Sequence, residues 1–513
     1  MKIRRRADHG RLRHLCAALA VTLAVAVGAT SCASTTAPPP RRAPAPSAPR
    51  TRLPHSATTV LSGPPGLIAA AAAQTFFASA PVVVLADPGH PGALTAAAVD
   101  AAGAHAPFLL TASAGQALVS RALQAQIRAL KPRAVLAVGV AASALAPSLP
   151  GIRIVTDPAM LPPTKAPPPL GRVALLVRHG YYGAGAVAAV STAQAAGARV
   201  IGVSGHNPQT DPAVITALRA MRPRHVVAIG AGFGPAGGLG LRVAVAETGK
   251  QLPGGGQVLF PWHRLVALYG HPGTPSLGAL GQQGLRASIQ RARMLAAAYR
   301  PLSAVPVVPA FEIIATVAEA SPGPDGEYSY QTPLALLRPW VRRAIAARMY
   351  VILDLQAGRA SLLGQAKAYE PLLRLPDVGL AIDPEWTLQP GQLPLRQIGS
   401  VSIGQVNSVV RWLAALTARY RLPQKLLVLH QFRLSMINHE QRLDTRYRDL
   451  AIVIHMDGQG TPQDKEQTWD AVTAAAPRGV FFGWKNFFVK DHPMMSPQQT
   501  MARTPQPVMI SYQ

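Results

Sequence analysis

From Val258 to Gln513 short apolar runs alternate with longer mixed stretches. Eight runs recur: Leu265 to Tyr269, Val305 to Ile313, Tyr350 to Leu355, Val378 to Ile382, Leu426 to Leu429, Leu450 to Ile454, Val480 to Trp484 and Pro507 to Tyr512. Each is the length of a buried strand and rich in Val, Ile or Leu. Most of the gaps can hold a helix. Eight strand–helix alternations in roughly 250 residues is the size of a (βα)8 barrel, so a TIM-like barrel is predicted over 257–513. In that fold chemistry sits where strands end. Here those ends read His271, Glu312, Asp354 with Gln356, Asp383 with Glu385, His430 with Gln431, His455 with Asp457, Lys485, and Tyr512.

The first half has another rhythm. Ala129 to Gly139 recurs as Ala220 to Gly230, 91 residues on, each copy reading as a helix end, a Pro-containing turn and a buried strand ending in Gly. Upstream of each lies a further strand with an Ala-rich helix: Val82 to Leu85 and Gly92 to Ala102, then Val173 to Val177 and Ala184 to Ala196. Phe108 to Leu110 and Val200 to Val203 complete the pattern. Strand, helix, strand, helix, strand implies a small parallel sheet with helices on its faces. The predicted class is α/β: two small parallel-sheet, Rossmann-like repeat units, at 57–160 and 161–252, followed by the barrel. Gly-rich turns at Gly180 to Gly185 and Gly230 to Gly234 follow strands. They lack the helix opening and the downstream acid of a dinucleotide site, and no cofactor is expected.

Val82 to Asp87, Pro91 to Ala97, Pro107 to Thr111 and Leu130 to Gly139 resemble the bacterial cell wall-binding repeat of the type 2 family. The resemblance implies attachment to a cell wall. The bland alternative is an α/β scaffold.

Residues 1–14 carry Lys2, Arg4, Arg5, Arg6, Arg11 and Arg13, and an apolar run from Leu15 to Val27 follows. That run is the length of a signal-peptide core. Ala29-Thr30-Ser31-Cys32 is similar to a bacterial lipobox, with Ala29 where Leu is usual. The similarity implies a signal peptide over 1–32, lipidation at Cys32 and a place on the extracellular face of the membrane. Ordinary cleavage and secretion is the alternative. Residues 33–56, rich in Pro, Ala and Arg, are expected to be a disordered tether.

Acids are scarce: 23 against 50 basic residues, a net charge of +27. That favours anionic partners such as a membrane surface. No nucleic-acid motif is visible, and nucleic acid is not expected as a partner. Cys16 and Cys32 are the only cysteines, so the folded part has no thiol chemistry.

Against so few acids, the strand-end carboxylates stand out. Asp354, Asp383, Glu385, Glu312 and Asp457 are the candidate catalytic groups, because two carboxyls at adjacent strand ends suit glycoside hydrolysis. Asp383-Pro384-Glu385-Trp386 resembles the Asp-x-Glu strand end of barrel glycosidases acting on wall glycans. Tyr269, Trp386, Trp484 and Tyr512 are candidate stacking platforms for sugar rings. His271, Gln356, His430, Gln431, His455 and Lys485 are candidate hydrogen-bonding groups. The histidines lack metal-site spacing, and no metal is expected. The resulting expectation is a surface lipoprotein that binds or hydrolyses an envelope polysaccharide. Its rivals are a non-catalytic adhesion or scaffold protein and a solute- or polymer-binding lipoprotein that serves another enzyme.

Overall fold

The structure is a computed structural model that describes residues 45–112, 119–181 and 183–513. The expected signal peptide, Cys32 and most of the tether lie outside the described residues. Among those described, no helix is long and apolar enough to cross a membrane. The tether expected over 33–56 meets folded chain before its end. Arg50 and Thr51 pair antiparallel with Phe77–Ser79, and the Arg52 guanidinium donates to the Gln74 carbonyl.

The C-terminal half is a closed barrel of eight parallel strands in chain order. They are Arg264–Gly270, Val307–Ala318, Tyr350–Leu355, Val378–Ile382, Lys425–Gln431, Leu450–Met456, Phe481–Asn486 and Met509–Tyr512. The last pairs with the first and closes the ring. All eight apolar runs are strands, because each is apolar on both faces. One face meets the barrel interior and the other meets helices. Six gaps carry an α-helix: Leu285–Tyr299, Leu334–Ala346, Leu362–Ala368, Ile403–Arg419, Pro462–Ala475 and Pro497–Met501. The fifth strand is followed instead by a loop, 432–449, with short 3₁₀ turns. The second strand runs on beyond the barrel and forms a hairpin with Ser329–Gln331, walling one side of the mouth.

Alternation along each strand sorts the side chains. The interior is filled from below by Leu265, Ala267, Val308, Ala310, Tyr350, Ile352, Ala381, Leu426, Val428, Ala451, Val453 and Met509. Leu252, Leu259 and Phe260 join the same cluster from the Gly-rich segment that precedes the barrel. That segment is therefore a plug rather than a free linker. Gly254, Gly255 and Gly256 all have positive φ, which turns the chain back toward the barrel floor. Gln257 bonds the carbonyls of Val245 and Lys250, and the Leu259 N–H donates to Gln424.

The first half holds two four-stranded parallel sheets. One orders Phe108–Leu110, Val82–Ala86, Ala134–Val138 and Arg153–Val155; the other orders Arg199–Val203, Val173–Arg178, His225–Ile229 and Thr58–Leu61. The first three positions follow the same order in both sheets. The fourth place of the second sheet is taken by Thr58–Leu61, from the span assigned to the first unit. One apolar core runs through both sheets, with the helices Pro65–Phe76 and Ala184–Ala195 between them. A Cβ on Gly185 would stand 2.8 Å from the Pro65 Cα, so small residues let these helices touch.

If the plug completes the barrel core, Phe260→Ala leaves a cavity in its floor. The substitution is expected to cost about 3–4 kcal/mol in urea-induced unfolding.

Candidate active site

The same alternation that fills the floor with aliphatic side chains puts a polar group at the top of each strand. Tyr269, Glu312, Asp354, Asp383, His430, His455, Lys485 and Ser511 each lie an even number of residues above an interior residue of their own strand. All are buried. Eight strands thus converge on one polar layer at the C-terminal mouth.

Three sets of contacts organise it. His430 lies between two acids: Nε2 is 3.0 Å from Glu312 Oε1 and Nδ1 is 3.1 Å from Asp457 Oδ2. The first contact is a hydrogen bond; the second is an ion pair off the hydrogen-bond line. The Tyr269 hydroxyl donates to Asp354 Oδ2 at 2.9 Å and receives Gln356 Nε2 at 3.4 Å. The Lys485 ammonium lies 3.7 Å from the centre of the Tyr269 ring, a cation–π contact.

The two histidines take opposite protonation states. For His430, burial disfavours the cation, but Glu312 and Asp457 outweigh it and hold the ring well above the usual histidine range. His455 packs perpendicular to it at 5.1 Å. Burial, then the charges of His430 and Lys485, push His455 well below that range. Its Nε2 bonds Ser511 Oγ at 2.7 Å. Gly483 makes room for this ring, since a Cβ there would fall 2.0 Å from His455 Nδ1.

The acids are pushed up. Burial raises Asp354 to about 6; Glu312 adds to this, and His430 and the Tyr269 hydrogen bond oppose it. Burial, then Glu385 and Asp354, lift Asp383 well above the carboxylate range. Glu385 stands half-buried at the rim, on the turn Pro384–Trp386. Burial and Asp457 raise it to about 7. Burial, then Asp354, hold the Tyr269 hydroxyl protonated.

All five candidate carboxyls therefore come together with Tyr269, His430 and Lys485, and Gln356 supports Tyr269. His455 sits one contact behind. The remaining candidates lie elsewhere. His271 bonds Thr274 and Thr332 and ties the first two loops together. Gln431 faces away from the interior and donates to Glu440. Trp484, next to inward Lys485, turns outward and packs 5.5 Å from Trp469. Tyr512, next to inward Ser511, turns outward to Tyr299, 2.6 Å between hydroxyls. Neither can serve as a platform in the mouth, and the face of Tyr269 is covered by Lys485. Trp386 alone of the four stays half-exposed at the rim.

Residues not anticipated support the layer from outside. Lys465 donates to the Lys485 carbonyl and to Asp491 Oδ2, both at 2.6 Å. Asp491 in turn receives the N–H groups of Phe487 and Gly460. This buried pair fixes the end of the seventh strand, hence Lys485. In sequence Lys465 reads as a solvated residue in the first turns of a helix. A buried lysine there has no local signature. Among the described residues no group of three or more His, Cys, Asp or Glu side chains is arranged to hold a metal. No protein-family model matches the chain, and neither does any curated protein.

The raised acids have a stability consequence. An unfolded Glu titrates near ~4.3. Because the folded state holds the Glu385 proton more tightly, the ionised form is penalised, from about pH 4 upward and fully above about pH 7. Glu385→Gln is therefore expected to stabilise the fold at pH 8 by roughly 1–2 kcal/mol and to have little effect at pH 4. Thermal unfolding at the two pH values measures this.

Proposed function

We propose that the barrel hydrolyses a glycosidic bond in a cell-envelope polysaccharide. The observation that carries this reading is the pair Asp354 and Glu385. They end adjacent strands, belong to one carboxyl cluster, and are held at about 6 and about 7. Near pH 6.5 one carboxyl is ionised while the other keeps a proton, the division of labour that glycoside hydrolysis requires.

Glu385, at the rim, gives its proton to the bridging oxygen as that bond breaks. Asp354 acts from below as nucleophile, or as the base that takes a proton from water. The Tyr269 hydroxyl and Lys485 favour its anion. Asp383, which interacts with both, faces the polar substituents of the sugar. His430, locked by Glu312 and Asp457, supplies a fixed positive charge below the reacting centre. The rest of the reading rests on sequence resemblance. The chain is a lipoprotein anchored at Cys32, and its two Rossmann-like units are repeats that attach it to the wall. The common strand order of the two sheets supports that kinship.

Purified wall glycan incubated with the protein is expected to release reducing ends. Asp354→Asn and Glu385→Gln are each expected to lower the rate by about 1000-fold or more. Turnover is expected to peak between about pH 6 and pH 7. Below the peak Asp354 takes up a proton and is lost as nucleophile or base; above it Glu385 loses the proton it must donate. Glycan binding without release of reducing ends would instead favour a non-catalytic wall-binding protein.

A further inference from the structure

Several buried oxygens of the mouth stand without a partner among the described residues: Glu312 Oε2, Asp354 Oδ1, Asp383 Oδ1 and Asp457 Oδ1. The Asp383 side chain receives no hydrogen bond from any described residue and is 1% exposed. Alternation aims it into the mouth. Five carboxyl groups face two cations, His430 and Lys485, and His430 is already held between Glu312 and Asp457. The means of recognising a neutral sugar face are reduced, since Trp484 and Tyr512 point away from the mouth and Lys485 covers Tyr269.

These observations select among sugar substituents. A hydroxyl brings one donor and two acceptors, so each one it adds leaves the surplus of oxygens unrelieved. An ammonium brings three donors, no acceptor and a positive charge. An N-acetyl group brings one donor, a further carbonyl oxygen and no charge. Resting on the glycan-hydrolase reading of this site, we propose that the sugar unit seated at the mouth carries a free, protonated amine. The substrate class is then a de-N-acetylated hexosamine polymer. The amine lies beside Asp383 and Asp457 and draws the proton of Asp383 off to solvent, while Glu385 keeps its own proton for the bridging oxygen and Lys485 is left to bond a neighbouring hydroxyl. The whole chain, at net +27, repels such a polymer, so attraction comes from the mouth alone.

The test uses one glycan in two forms. Wall polysaccharide is de-N-acetylated with alkali, and half is then re-N-acetylated, which removes the charge and leaves the linkages. Binding of each to the full chain is measured by calorimetry. The free-amine form is expected to bind tighter by about tenfold or more, the contribution of one charge-assisted hydrogen bond. The preference is expected to collapse in Asp383→Asn and in Asp457→Asn. Equal or tighter binding of the acetylated form, failure of both forms to bind, or a preference that survives in both variants overturns the proposal. Cleavage of both forms at equal rates sinks the amine and leaves the hydrolase reading standing. Selective binding of the amine form without cleavage sinks the hydrolase reading and retains the amine.

Discussion

Closing eight parallel strands into a ring leaves each side chain two destinations, the interior or the surrounding helices. That constraint governs this molecule. Below the midline the interior positions are aliphatic or aromatic and pack with the plug of Leu252, Leu259 and Phe260. Above it they become Tyr, Glu, Asp, Asp, His, His, Lys and Ser without a break in the alternation. The apolar floor provides the stability. The polar layer is what that stability supports, because buried carboxyls are costly unless paired or protonated.

Within the layer charge is apportioned rather than cancelled. Glu312 and Asp457 hold His430 charged; His430 and Lys485 help keep its neighbour His455 neutral. The three remaining acids lack comparable cations and stay protonated to unusually high pH. A site of this kind meets a substrate with acids and bases in place near neutrality. The supporting pair Lys465–Asp491 and the small Gly483 act one step away, fixing Lys485 and admitting His455.

The strands and the five carboxyls were legible because each is a local signal: an apolar run followed by an acid. Side-chain direction was legible too, but only by counting in twos. Lys485 pointing inward already turns Trp484 outward, and Ser511 does the same for Tyr512; choosing aromatics by nearness to a strand end misses this. Contacts between distant segments left no local trace. Thr58–Leu61 is a short strand whose partner, His225–Ile229, lies far along the chain. The triple glycine reads as a break, and only the positive φ of each residue and the burial of Leu252 and Leu259 make it a plug.

The mouth holds carboxyl groups protonated well above the ordinary carboxylate range. A ¹³C NMR titration of the side-chain carboxyls measures this directly. Resonances of Asp354 and Glu385, assigned through Asp354→Asn and Glu385→Gln, are expected to titrate at about 6 and about 7. Exposed acids titrate near ~4. If both resonances titrate with the exposed acids, the site is an ordinary set of ionised carboxylates with no acid to pair with a base.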